Sequence, residues 1–127
     1  MMYSKELLKH FRHPKHMGSL KDADVISVEG NPVCGDVMKL YLKIKNGKIQ
    51  NIKFETFGCV AAIGASDILC EIVKGKSIEE AEKVTEAEIV KKAKGFPQAK
   101  VHCSLLAAKA LKKAIEKYKK VHLQDKN

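Results

Sequence analysis

The sequence predicts an α+β domain, a three-stranded antiparallel sheet with helices packed on one of its faces. Three observations predict it. From Val37 to Lys45 the side chains alternate, with Met38, Leu40, Leu42 and Ile44 on one side and Lys39, Lys43 and Lys45 on the other. That is the pattern of a strand with one buried and one wet face. Asn46-Gly47 follows at once, a dipeptide suited to the positive φ angles of a two-residue hairpin turn. Beyond Cys59 the apolar spacing becomes helical, and strands followed by helices make an α+β domain.

The elements follow in order. Lys5 to Phe11 reads as a short helix, stopped by His13-Pro14 and Gly18. Val25 to Glu29 supplies a first short strand, and Ile49 to Phe57 the return strand, with Ile52 and Phe54 inward. Val60 to Lys74 is a helix with Ile63, Ile68, Ile72 and Val73 near a common face, and Gly75 is its stop. Ser77-Ile78-Glu79-Glu80 and Thr85-Glu86-Ala87-Glu88 are capping boxes, so two short helices follow. Gly95-Phe96-Pro97 breaks the second. A long last helix runs from about Cys103 to Lys120, with Ala107, Leu111, Ala114, Ile115 and Tyr118 on its buried stripe. No repeat or low-complexity linker divides the chain, so residues 1–127 are expected to form one domain, with 121–127 a frayed tail.

Composition narrows the function. At 127 residues, 45% apolar and 31% charged, the chain can build one core and does not read as disordered. No apolar run approaches the roughly 20 residues of a membrane helix. Met1 to Glu6 carries no signal-peptide core. The expectation is a cytoplasmic protein with no membrane partner. The net charge of +9 favours an acidic partner. Yet the lysines are spread along the chain, Arg12 is the only arginine and aromatics are few, so no base-stacking platform for nucleic acid is expected. In a reducing compartment the four cysteines read as ligands, nucleophiles or buried apolar residues rather than disulfides.

Three cysteines fall at element ends. Cys34 lies in the turn-rich Gly30-Asn31-Pro32-Val33-Cys34-Gly35-Asp36, Cys59 where a strand gives way to a helix, and Cys103 where a loop opens into the last helix. At a helix N-terminus the dipole and unpaired N–H groups favour a thiolate, the form that soft metals and iron–sulfur clusters require. There is no CxxC pair, so neither a zinc ribbon nor a thioredoxin-like motif is present. Asp36 adds an oxygen donor and His102 a nitrogen donor. Asp36 serves equally as a cap for its own turn, and His102 equally as a hydrogen-bond partner at the helix start. Three thiolates with a carboxylate or imidazole suit tetrahedral zinc or a [2Fe–2S] cluster, and spacing does not separate the two. Cys70, mid-helix beside Leu69, reads as a buried apolar residue and is left out of the site. His10, His13, His16 and His122 have no thiol neighbour in sequence, and His13 and His16 read as loop.

These motifs carry a resemblance. Tyr3-Ser4 through His13-Pro14-Lys15-His16-Met17-Gly18-Ser19-Leu20, then Asn31-Pro32-Val33-Cys34-Gly35-Asp36-Val37-Met38-Lys39-Leu40, Phe57-Gly58-Cys59, Lys74-Gly75-Lys76-Ser77 and Lys100-Val101-His102-Cys103-Ser104-Leu105-Leu106-Ala107 appear in that order. The sequence is similar to the IscU/NifU-type iron–sulfur scaffold family, as a stand-alone counterpart of the NifU N-terminal module. The likeness runs from about Tyr3 to Lys120.

The resemblance implies a scaffold rather than an enzyme, one that builds a labile [2Fe–2S] cluster and hands it to acceptor apoproteins. It implies Cys34, Cys59 and Cys103 as cluster ligands, with Asp36 or His102 as the fourth, and zinc able to take the same site. It further implies Asp36 as the residue tuning lability and Cys103 as acceptor of persulfide sulfur from a cysteine desulfurase. Tyr3, Pro97 and Lys100 would be partner-binding positions, and a homodimer sharing the cluster is compatible with it. The family's Leu-Pro-Pro-Val-Lys chaperone segment here reads Phe96-Pro97-Gln98-Ala99-Lys100, a departure that weakens the expectation of an Hsp70-type chaperone. Val60 to Ser66 also carries fewer hydroxyls than the family's Gly-Ser-Ala-Ile-Ala-Ser-Ser. No long insertion separates Cys59 from Cys103, unlike the zinc-dependent sulfur-acceptor relatives. Two rivals remain: a zinc-binding persulfide-acceptor module, and a structural zinc domain binding an acidic partner.

Overall fold

The alternating segment forms the centre of the sheet. In the computed structural model, which describes residues 3–32 and 35–124, β1 (Val25–Gly30), β2 (Val37–Lys45) and β3 (Lys48–Phe57) make an antiparallel meander in the order β1-β2-β3. Asn46 and Gly47 turn the β2–β3 hairpin with φ of 55° and 74°, as the dipeptide foretold. In register, Leu42 faces Ile52 and Leu40 faces Phe54. These four and Met38 are fully buried.

The helices are α1 (Lys5–Arg12), α2 (Val60–Val73), α3 (Ile78–Glu82), α4 (Glu86–Lys92) and α5 (Val101–Gln124). Ser77 and Thr85 cap α3 and α4 through complete capping boxes with Glu80 and Glu88, the reciprocal bonds that satisfy two orphan N–H groups. α2 packs against β3, and α5 against β1 and β2. α2 is buried on almost every side, from Ala61 through Cys70 apart from Ile63, because α1, α4 and α5 also pack against it. Its single apolar stripe in the sequence was therefore an underestimate. α5 continues past Lys120 to Gln124, with Tyr118 stacked on His122 at a ring separation of 4.0 Å. Residues 125–127 of the expected tail lie outside the described residues.

Two contacts tie the N-terminal segment to α2. Gly64 meets α1 so closely that a Cβ there would lie 2.5 Å from Leu7 Cδ1. Asp67, fully buried, receives His10 Nδ1 at 2.6 Å on Oδ2 and the His16 backbone N–H at 2.9 Å on Oδ1. His16 Nδ1 lies 3.2 Å from the same Oδ1, and His10 Nε2 faces Glu6 and Glu71 at 3.4 Å each. A buried carboxylate needs such partners to offset its lost hydration.

The two sheet edges are closed differently. The edge of β3 bonds to backbone, with Phe54 N donating to His16 O, Gly18 N to Phe54 O and Ile49 N to Lys76 O. Along β1, Lys113 Nζ donates to Val28 O and Lys117 Nζ to Ile26 O, both at 2.9 Å. Lysines laid on a strand edge block pairing with another chain.

Candidate metal centre

Three elements deliver one donor each to a common point. Asp36 ends the loop between β1 and β2, which is tied by Asn31 N to Asp36 O and Gly35 N to Asn31 O, both 2.8 Å, and turned by Gly35 at φ 77°. Cys59 is the N-cap residue of α2, extended at φ −81° and ψ 176°, with no side-chain cap bond. Its thiol is thus left available to the site. Cys103 lies in the first turn of α5, which follows directly from the 3₁₀ turn Gln98–Lys100.

Cys59 Sγ lies 3.6 Å from Cys103 Sγ, and Asp36 Oδ2 lies 3.8 Å from the first and 3.9 Å from the second. A tetrahedral ion with bonds of about 2.3 Å to sulfur and about 2.0–2.2 Å to oxygen holds its donors roughly 3.5–3.8 Å apart. The triangle therefore fits one such ion, with a fourth corner left over. Asp36 and Cys103 are buried, whereas Cys59 is half-exposed, so the site opens to solvent on the Cys59 side. Two residues before Cys59, at the end of β3, Phe57 is 82% exposed.

The other expected residues fall as follows. Cys34 lies outside the described residues. His102, half-buried, lines a neighbouring hollow with Gly30, Asn31, Pro32 and Leu105. Its Nε2 is buried and has no hydrogen-bond partner among the described residues. It is not one of the three convergent donors. Tyr3 is partly buried against the core. Pro97 and Lys100 bracket the 3₁₀ turn ahead of α5, with Lys100 N bonded to Pro97 O at 2.8 Å. Cys70 is fully buried in the core. Burial, and then the charge of Asp67, hold its thiol well above the ordinary range, against a smaller opposing effect of Lys53. A thiol kept protonated is no metal ligand.

Two features escaped the sequence. The Asp67 network draws on partners 51 and 57 positions away, beyond any local pattern. Gly58 was visible only as part of a motif. Its neighbourhood explains it, since a Cβ there would lie 2.7 Å from Asp36 Cγ.

The chain matches the NifU-like N terminal domain family over residues 2–125. It is 49% identical over 117 residues to the iron–sulfur cluster assembly scaffold protein IscU 1 of Archaeoglobus fulgidus, covering 92% of this chain and 76% of that one. It is 45% identical over 123 residues to the scaffold protein IscU of Haemophilus influenzae, covering 94% and 97%. Among solved structures, a candidate iron–sulfur cluster assembly scaffold for the SUF system of Fervidobacterium islandicum AW-1 superposes with a TM-score of 0.75 at 27% identity, over 89% of this chain and 96% of that one. The N-terminal part of a NifU-like protein from Brucella abortus gives 0.74 at 18% identity over 91% and 93%, a likeness of fold alone. By sequence over nearly its whole length, and by fold, the chain belongs to the NifU-like N-terminal domain family of IscU/NifU-type proteins.

Proposed function

We propose that this chain is an iron–sulfur cluster assembly scaffold, which binds iron and sulfide at Cys34, Cys59 and Cys103 with Asp36 and passes the cluster to acceptor apoproteins. The observation that carries the proposal is the triangle of Asp36 Oδ2, Cys59 Sγ and Cys103 Sγ, all within 3.9 Å of one another at a partly exposed end of the fold. The scaffold names of the relatives support the same reading. A [2Fe–2S] cluster divides its ligands between two irons, so the donors must spread as the second iron enters. The compact triangle is suited to the first ion. A carboxylate oxygen is a poorer partner for the cluster than a fourth thiolate, which favours release. His102, beside Cys103 and with an Nε2 that has no partner among the described residues, is the alternative fourth ligand.

Sulfur is proposed to come from a cysteine desulfurase. The Cys103 thiolate attacks the outer sulfur of the donor's persulfide, a new S–S bond forms, and the donor's thiolate leaves. Cys103 is only 1% exposed and Cys59 is the more accessible thiol, so transfer to Cys103 requires the first turn of α5 to move. Pro97 and Lys100, on the turn that leads into that helix, are the proposed contacts for a chaperone of Hsp70 type, and Tyr3 a contact for a partner or second copy. The site of action is proposed to be the cytoplasm. No described helix is long and apolar enough to cross a membrane.

The test is iron, zinc and acid-labile sulfide per chain after anaerobic reconstitution. Iron and sulfide in equal amounts, lost on changing Cys34, Cys59 or Cys103 but kept on changing Cys70, is the expected result. Zinc without sulfide, resistant to replacement by iron, would overturn the proposal in favour of a zinc-binding persulfide acceptor.

A further inference from the structure

Gly58 joins β3 to Cys59, and its backbone does not explain why it is glycine. Its φ lies outside the left-handed region, in contrast to Gly35 and Gly47, so an alanine fits the chain conformation. Space is the obstacle. A Cβ at this position would lie 2.7 Å from Asp36 Cγ, 2.9 Å from Oδ1 and 3.1 Å from Oδ2. The three nearest atoms all belong to the carboxylate group, and none of them is backbone. The Asp36 carboxylate occupies the volume that every other residue type would fill.

We propose that Gly58 is a positioning residue, whose missing side chain admits the Asp36 carboxylate to the Cys59–Cys103 pair. This rests on the reading of Asp36 as a donor. The magnitudes decide where the strain goes. Relieving a 2.7 Å contact moves the carboxylate by several tenths of an ångström, whereas metal–donor distances tolerate only about 0.2 Å. Asp36 has a short side chain that can rotate away, so an alanine at 58 leaves the fold intact and takes the oxygen donor out of the triangle. Gly58 thereby acts on the cargo without touching it.

The experiment is a double-mutant cycle of Gly58→Ala and Asp36→Ala, read by zinc affinity against a chromophoric chelator and by the absorption spectrum of the cobalt(II)-loaded chain. Gly58→Ala alone is expected to weaken zinc binding roughly tenfold and to move the cobalt spectrum towards that of Asp36→Ala. In the Asp36→Ala background, where the clashing atoms are gone, Gly58→Ala is expected to add nothing. Unchanged affinity and spectrum in Gly58→Ala, or losses that add in full in the double variant, would overturn the proposal. If Gly58→Ala fails to fold, melting of the metal-free double variant decides. Recovery of the fold on removing the Asp36 carboxylate supports the proposal, and no recovery overturns it. A wild-type chain that takes zinc but never iron with sulfide would overturn the scaffold reading alone, since the zinc and cobalt measurements do not depend on it.

Discussion

His10 Nδ1 lies 2.6 Å from Asp67 Oδ2, joining the N-terminal helix to a fully buried carboxylate in the middle of α2. Removing the carboxylate takes their acceptor from His10 Nδ1 and from the His16 backbone N–H. Asp67→Ala is expected to cost about 3 kcal/mol of stability, the scale for breaking a buried, hydrogen-bonded pair on one side. Urea unfolding checks it. The midpoint should fall while the slope stays near that of wild type.

Asp36→Ala removes the only oxygen donor among the three convergent ligands. The family resemblance makes Asp36 the residue that tunes lability, so a reconstituted cluster, unlike a single zinc ion, is expected to leave the variant more slowly than the wild type, in transfer to an apo-ferredoxin and in air. Bleaching of the cluster absorbance follows both. A variant that releases its cluster as fast as wild type would remove Asp36 from the mechanism.

Cys70 gives a pH dependence of definite sign. Its folded-state thiol is held well above the ordinary range, chiefly by burial and then by Asp67. The unfolded chain gives up that proton near pH 8.5, about the ordinary thiol value, while the folded chain keeps it. Above that pH the folded state binds more protons, so stability falls as pH rises; below it both states keep the proton and the contribution is constant. Cys70→Ala is expected to flatten the alkaline fall in urea midpoint and to leave metal content unchanged.

Lys113 and Lys117 cover the carbonyls of Val28 and Ile26 on the edge of β1. Both lysines are exposed, so replacing them with alanine is expected to change stability by no more than about 0.5 kcal/mol. The effect is expected in solution behaviour instead. The uncovered edge, flanked by the exposed side chains of Ile26 and Val28, should pair between molecules. Sedimentation of the double variant should show stronger concentration-dependent association than the wild type.

Much of the fold was legible because its signals are local. Alternation marked β2, Asn46-Gly47 marked the hairpin, and Ser77 with Glu80 and Thr85 with Glu88 marked two helix starts. The two convergent thiols, Cys59 and Cys103, were legible as cysteines at element ends, and Cys70 as the exception. What stayed hidden depends on tertiary neighbours. Asp67 on an otherwise apolar helix has no meaning until α1 and the loop at His16 are laid against it. Gly58 in a strand-to-helix junction gives no hint that its empty volume belongs to Asp36. The last helix outran the boundary at Lys120 because Tyr118 stacks on His122, a contact that a periodicity of apolar residues does not register.

The donors of the candidate centre come from far-separated parts of the chain, with Asp36 and Cys103 67 positions apart. During synthesis, a chain that has emerged only through α2 carries Asp36 and Cys59 but nothing to close the triangle. The triangle closes only when α5 has folded back against β1 and β2. Under the proposed function, a chain not yet extended through α5 offers Cys34, Asp36 and Cys59 but lacks Cys103, so complete ligation at this centre is conditional on the packing of α5 against the sheet.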